Sequence, residues 1–221
     1  MGANRLEYSW RTGWRGVLDQ LGFLALRSFL RALGRLYFGF RVDGHVPAAG
    51  PVILAANHAS FLDPLILGSS SRRRVRFVST DLYNHNPFLH WFLRWNGAIF
   101  VREEGFNRNT ILQVVEALKE GEVVGIFPEG SISTDGKLNS VAPGTLILAR
   151  RSGAPIVPVA IRGSHAALRR GSWFPKPATI HVRIGAPLYL EDLIPAAGDR
   201  RSSLREGAKR LQQELTELLL D

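Results

Sequence analysis

The 221-residue chain has no cysteine. Disulfides, thiolate zinc sites and a cysteine nucleophile are therefore excluded, and any acyl chemistry has to use other side chains. Lysine is scarce, confined to Lys119, Lys137, Lys176 and Lys209, so the net charge of +9 is carried almost entirely by arginine. No Gly-x-Ser-x-Gly elbow occurs, which removes the usual signature of a serine hydrolase. A long uninterrupted apolar run is missing too. A membrane-spanning helix needs about 20 predominantly apolar residues, and arginines break every candidate window. The chain shows no internal repeat or low-complexity linker.

Excess arginine alongside 45% hydrophobic residues suits an anionic partner. Zinc-finger, helix-turn-helix and RNA-recognition patterns are all wanting and the arginines lie among leucines and aromatics, so nucleic acid is not expected. The length fits one α/β domain with a terminal appendage. Apolar runs at Pro51 to Ala56, Val75 to Ser79, Ala98 to Val101, Val123 to Phe127, Ile156 to Ile161 and Thr179 to Ile184 read as strands. Pro158 argues that the fifth of these is an edge strand or carries a bulge. Helical patterns alternate with them. Pro87 opens an aromatic helix, Ile111 to Leu118 repeats at i, i+3, i+4, i+7, and Thr145 to Arg151 reads as a helix. Ser203 with Glu206 reads as the capping box of an amphipathic terminal helix. This alternation predicts a largely parallel central sheet flanked by helices.

His58 and Asp63 stand five residues apart, just after the first apolar run. On a regular helix of about 3.6 residues per turn, such positions point roughly 140° apart, so the two side chains meet only across a turn. Strand, turn and helix do follow one another here, and open α/β folds gather their chemistry at such junctions. A neutral imidazole held by a carboxylate can take a proton from an alcohol. The alternative is a helix cap at Asp63 and a satisfied turn residue at His58.

Residues 10–41 combine tryptophans, leucines and phenylalanines with Arg11, Arg15, Arg27, Arg31 and Arg35. The last three, spaced four apart, form one basic stripe on an otherwise apolar helix. The charges run through the apolar part without a small-residue cleavage site, unlike a signal peptide. Met1-Gly2 lacks the Ser or Thr at position 6 of a myristoylation motif. The expectation is an amphipathic membrane-association element over residues 1–42, with arginines on lipid phosphates, followed by an α/β domain over 43–221. A helix packed on its own domain or on a subunit partner is the competing reading.

Two more loops leave strand ends on the same side of a parallel sheet: Gly97 to Arg102, and Phe127-Pro128-Glu129-Gly130-Ser131-Ile132-Ser133. With the segment Asn57 to Asp63 and the apolar Ile156 to Ala160, their order and spacing resemble the glycerolipid acyltransferase family, typified by lysophosphatidic acid acyltransferases. The resemblance covers nearly the whole chain, and the first and third blocks are the specific ones.

That resemblance implies direct acyl transfer from acyl-CoA or acyl carrier protein to a lysophospholipid hydroxyl, most simply lysophosphatidic acid, without other cofactors. His58 and Asp63 would be catalytic. Asn57, Arg102, Glu129, Gly130, Ser131 and Lys137 would bind substrate, and backbone N–H groups near Gly130 would meet the oxyanion, a role inferred from loop geometry. No metal is expected, since His85, His90, His165 and His181 lack ligand spacing. The implied setting is the cytoplasmic face of a membrane with anionic lipids, as a peripheral protein. One departure stands out. The family's Glu-Gly-Thr-Arg-Ser becomes Glu129-Gly130-Ser131-Ile132-Ser133, losing an arginine that helps hold the acceptor phosphate. Lys137 or Arg102 would replace it, or the acceptor is a different lysolipid. Two rival classes remain: a thioesterase or hydrolase using Ser60, His58 and Asp63, and a non-catalytic lipid-binding protein.

Overall fold

Val52, Leu54 and Ala56 alternate with Ile53 and Ala55, and all five are buried. A strand that is apolar on both faces needs a covered sheet. The computed structural model describes residues 13–80, 87–101, 107–194 and 200–220. In chain order they form α1 (Gly13–Phe38), β1 (Arg41–Asp43), β2 (Val52–Ala56), α2 (Asp63–Ser70), β3 (Val75–Thr80), α3 (Pro87–Trp95), β4 (Ile99–Val101) and α4 (Arg108–Lys119). There follow β5 (Val123–Ile126), α5 (Gly144–Ser152), β6 (Ile156–Arg162), α6 (Ser164–Ala167), β7 (His181–Ile184), α7 (Leu190–Leu193) and α8 (Arg200–Leu220). Among the described residues the strands make one seven-stranded sheet, ordered β1-β7-β6-β2-β5-β3-β4. The pairing is parallel throughout except between β6 and β7, so the α/β architecture with a largely parallel sheet is as expected.

Each face has its own core. Val52 and Leu54 pack with Ile66 and Leu67 of α2 and Leu89, Phe92 and Leu93 of α3. On the opposite face Ile53 and Ala55 pack with Val114 and Leu118 of α4, Leu146 and Leu148 of α5, and Leu204, Leu211 and Leu215 of α8. The helix ends follow from local chemistry. The Asn107 side chain accepts the Thr110 N–H at 2.9 Å to start α4, and Gly121, with φ +79°, turns the chain into β5 after it.

Several expectations need correction. Of the two readings of Pro158 the bulge holds and the edge does not, because β6 lies between β7 and β2. The proline sits at an irregularity of the ladder. Ile156 pairs with Leu188 whereas Val159 pairs with Ile184, so two β6 residues face three of the opposite segment. The Ile156 N–H goes to Leu188, and strand alternation turns residue 158 to the same side, where the proline's missing donor falls at the bulge. Ser203 is not an N-cap, because α8 already runs from Arg200 and holds Ser203 inside its first turns. The boundary expected after residue 42 falls within β1, a short strand that local pattern does not reveal.

The basic stripe of α1 also points elsewhere than expected. Arg27 Nε donates to the Ser71 carbonyl at 2.5 Å and an Arg31 nitrogen donates to the Ser69 carbonyl at 3.3 Å. Both arginines thus meet the carboxyl end of α2, where the helix dipole favours positive charge, rather than projecting outward. Asp19 fastens the start of the helix by accepting from Arg74 at 2.6 Å and from Trp95 Nε1 at 2.9 Å. α1 is therefore packed on its own domain, yet Leu18, Leu21, Phe29 and Leu36 of its other face are exposed.

Leu54 is fully buried at the centre of the sheet. Leu54→Ala is expected to cost about 2–5 kcal/mol, read as a lowered urea midpoint; a loss below about 1 kcal/mol would show that the two-faced core is not what holds β2.

Candidate active site

β2 ends at Ala56, and the chain then has to reverse before α2 can lie back across the sheet. The reversal is tied down from three directions. The Asn57 carboxamide exchanges two hydrogen bonds with the backbone of Ile161 on β6, its Nδ2 donating at 3.0 Å and its Oδ1 accepting at 2.7 Å. The Ser60 hydroxyl donates to the Leu168 carbonyl at 2.8 Å and accepts the Leu62 N–H at 3.1 Å. The His58 carbonyl accepts the Ser133 N–H at 2.8 Å, joining this turn to the loop after β5.

Inside the turn, one oxygen of Asp63 organises the chain. Its Oδ2 accepts the N–H groups of Ala59 and Ser60, each at 2.7 Å, and lies 3.0 Å from His58 Nδ1. The His58 and Asp63 side chains are buried. A carboxyl oxygen that accepts from two amides is fixed in place, and its contact with Nδ1 assigns the ring proton to that nitrogen. The Nε2 lone pair is then the one that takes a proton. The imidazole lies against Phe127, ring centroids 4.0 Å apart and planes 17° from parallel, so its plane is set by packing as well as by the hydrogen bond.

Because β2 and β5 are parallel neighbours, the loop after Phe127 emerges beside His58. Glu129 Oε1 accepts the His58 N–H at 2.7 Å, and Oε2 accepts the Asn139 N–H at 2.7 Å. Burial pushes its carboxyl above the usual glutamate range, and the two amides only partly oppose that shift. Gly130, with φ +75°, supplies the left-handed residue that the turn requires, and its own N–H is taken by the Phe127 carbonyl at 3.1 Å.

The structure thus unites His58, Asp63, Asn57, Glu129 and Gly130 at one sheet edge. It changes the parts some of them play. Asn57 and Glu129, expected among the substrate-binding residues, have their polar atoms committed to backbone partners and act as clamps on the turn. Gly130 contributes conformation, while the neighbouring Ser131 is exposed. Lys137 is exposed on the same loop, where its N–H donates to Asp135 at 3.0 Å. Ile132, at the place of the missing arginine, is buried. Arg102 lies outside the described residues, although β4, which leads to it, is parallel to β3 and ends at this edge. Ser60 cannot serve as a hydrolase nucleophile in this arrangement, since its hydroxyl is engaged on both sides. Among the described residues no cluster of acidic or histidine side chains is arranged to hold a metal. Sequence reasoning missed the Phe127 platform, which looked like the last residue of a strand, and Leu168, whose contribution is a bare carbonyl that leaves no residue signal.

A family model described as Acyltransferase matches residues 39–162. The chain is 26% identical over 180 residues to the 1-acyl-sn-glycerol-3-phosphate acyltransferase of Bacillus subtilis, covering 79% of this chain and 87% of that protein. It is 26% identical over 176 residues to the chloroplastic 1-acyl-sn-glycerol-3-phosphate acyltransferase LPAT1 of Arabidopsis thaliana, covering 77% of this chain. The chain spans about half, 49%, of that plant relative's length. Among solved structures it is similar to the 1-acyl-sn-glycerophosphate (LPA) acyltransferase PlsC of Thermotoga maritima, with a TM-score of 0.74, 26% identity, and coverage of 96% of this chain and 86% of that one.

The Glu129 clamp carries a pH signature. A carboxyl whose folded pKa is raised adds stability that is complete below its ordinary value of 4.5 and is lost as pH rises through the raised value. The stability difference between the wild type and Glu129→Ala is expected to shrink as pH climbs from about 4 to about 7. Urea denaturation across that range measures it, and a difference that grows with pH would contradict the burial of this carboxyl.

Proposed function

The chain belongs to the acyltransferase family, and from that membership we propose that it moves a fatty acyl group from a thioester donor, acyl-CoA or acyl carrier protein, to the free hydroxyl of lysophosphatidic acid, giving phosphatidic acid. The observation that carries this reading is the buried His58–Asp63 pair at 3.0 Å, held ready at the carboxyl edge of the sheet. His58 Nε2 removes the acceptor's hydroxyl proton as the oxygen attacks the thioester carbonyl. Asp63 stabilises the imidazolium that forms. The tetrahedral intermediate then expels the thiolate, which takes the proton from the imidazolium, so the free thiol and the new ester leave together with the histidine restored. Its oxyanion is met by backbone N–H groups of the Gly130 loop, with Ser131 the nearest candidate after Gly130's own donor is spent in the turn. Arg102 and Lys137 bind the acceptor phosphate in place of the missing third-block arginine.

The reading extends to the membrane. No described helix is long and apolar enough to cross a bilayer. The outward face of α1 instead presents Leu18, Leu21, Phe29 and Leu36, residues whose spacing puts them on one side of a helix. Next to its end, a loop carries Trp173 and Phe174 at 92% and 82% exposure, flanked by Arg169 and Arg170. Tyr37 of α1 donates to the Pro175 carbonyl of that loop at 3.1 Å, and the Leu168 carbonyl at its base receives the Ser60 hydroxyl beside the catalytic turn. Exposed aromatics beside basic residues suit a lipid headgroup boundary. An enzyme seated this way on the cytoplasmic face, where thioester donors are made, receives its acceptor from the bilayer with His58 close to the surface.

His58→Ala is expected to fold normally and to lose about 10²- to 10⁴-fold in acyl transfer from oleoyl-CoA to lysophosphatidic acid; retention of transfer in a folded His58→Ala protein would refute the mechanism. Leu21→Glu with Phe29→Glu puts two charges on the apolar face of α1 and is expected to abolish sedimentation with vesicles containing anionic lipid. Undiminished sedimentation would remove α1 from the membrane contact.

A further inference from the structure

Four arginines from two separate segments close around one cavity at the other end of the sheet. Arg27 and Arg31 of α1 meet Arg72 and Arg73 from the loop after α2, with His45 from the loop after β1, and the cavity measures about 650 Å³. The hydrogen bonds of these guanidinium groups go to neutral carbonyls, Ser71 for Arg27, Ser69 for Arg31, Pro47 and Gly121 for Arg73, and Arg31 also lies over the Phe40 ring, 5.9 Å from its centroid. None of the ion pairs among the described residues includes any of the four. Burial lowers the pKa of Arg27 and Arg31, and neighbouring positive charges, Arg72 in both cases, lower them further. Glu122, which pairs with Arg76, offsets part of the charge of Arg73, but Arg27, Arg31 and Arg72 form no ion pair among the described residues, and like charges gathered in this way are unfavourable unless an anion completes them.

Location separates this cavity from the catalytic turn. Its walls come from the chain leading into β2 and the chain leading into β3, both at the amino ends of parallel strands. His58 follows the carboxyl end of β2, whose five residues put roughly 16 Å between the two edges. The guanidinium fork matches phosphate oxygens in pairs. Arg27 and Arg31 are on the domain-packed side of α1, roughly opposite Leu18 and Leu36, and the exposed Leu24, seven residues before Arg31, stands at the edge where the two sides meet, so a phosphate seated between the arginines would have Leu24 leading from it to the apolar face.

We propose that this arginine cavity is a second anion site, taking the phosphate of an anionic phospholipid headgroup while the lipid's chains lie along α1. The choice of a lipid over free phosphate rests on the membrane reading above; the phosphate chemistry does not. The site anchors the enzyme to a headgroup class rather than feeding acceptor to His58.

Calorimetric titration of the full chain with water-soluble dihexanoyl phosphatidic acid tests the site without vesicles. The wild type is expected to show a binding event that Arg72→Glu weakens by about tenfold or more, whereas dihexanoyl phosphatidylcholine competes poorly for it. Arg72 is exposed and holds no carbonyl, so unligated Arg72→Glu is expected to melt at the wild-type temperature. Arg72→Gln provides the milder variant should reversal perturb the fold, with a smaller loss of the same event. Binding that is identical in wild type, Arg72→Glu and Arg72→Gln overturns the proposal. Inorganic phosphate titrated in parallel identifies the source: binding as tight as that of the short-chain lipid would overturn the lipid assignment. The Leu21→Glu, Phe29→Glu protein separates the two readings, because loss of vesicle sedimentation with retained soluble-lipid binding leaves the cavity standing by itself.

Discussion

One carboxylate oxygen, Asp63 Oδ2, holds together everything that matters at the catalytic edge. It accepts two consecutive backbone amides and the Nδ1 side of the imidazole. The amides fix the path of the chain between strand and helix, and the imidazole contact fixes the ring's orientation, so folding the turn and positioning the imidazole are the same event. An ion buried among apolar side chains is costly unless its lone pairs are met. Here all three polar contacts fall on Oδ2, while Oδ1 is buried without a hydrogen-bond partner among the described residues.

Around that oxygen the supporting contacts reach four elements that are distant in sequence. Asn57 ties the turn to β6, Ser60 to the carbonyl of Leu168, and Glu129 to the loop after β5. Phe127 supplies the flat surface against which the ring lies. Parallel pairing makes this economical: β5, β2 and β6 are neighbours, and all three release their chains at one edge. Rigid support of this kind limits the reorganisation left to occur during proton transfer.

The parts of this arrangement visible in the sequence are those with a local period or a fixed spacing. The five-residue step from His58 to Asp63, the doubly apolar β2 and the i, i+3, i+4 pattern of α4 each point to one structure. Other features depend on partners far along the chain. Asn57 and Glu129 carry polar groups typical of substrate contacts, and only the fold shows that Ile161, His58 and Asn139 take them. Pro158 at an interior strand makes sense once the facing segment is known to bulge. The arginine stripe of α1 misleads for the same reason: a helix with two usable faces does not say which one the domain will cover, and the carbonyls that end α2 decide it.

α2 connects the two functional ends of the molecule. Its first turn contains Asp63. At its other end the carbonyls of Ser69 and Ser71 accept from the arginines of α1, and Ser70 between them lines the cavity those arginines share. An α-helix of eight residues is a stiff rod of about 12 Å, so the contacts with α1 and the turn of Asp63 are joined by one rigid element. Packing therefore makes the orientation of α1 part of the active site's definition, and a surface that holds α1 in place also holds Asp63 in place. α1 is thus held by both kinds of contact: Phe23, Leu26 and Leu30 pack on the domain and Arg27 and Arg31 reach the end of α2, while Leu18, Leu21, Phe29 and Leu36 are left outside.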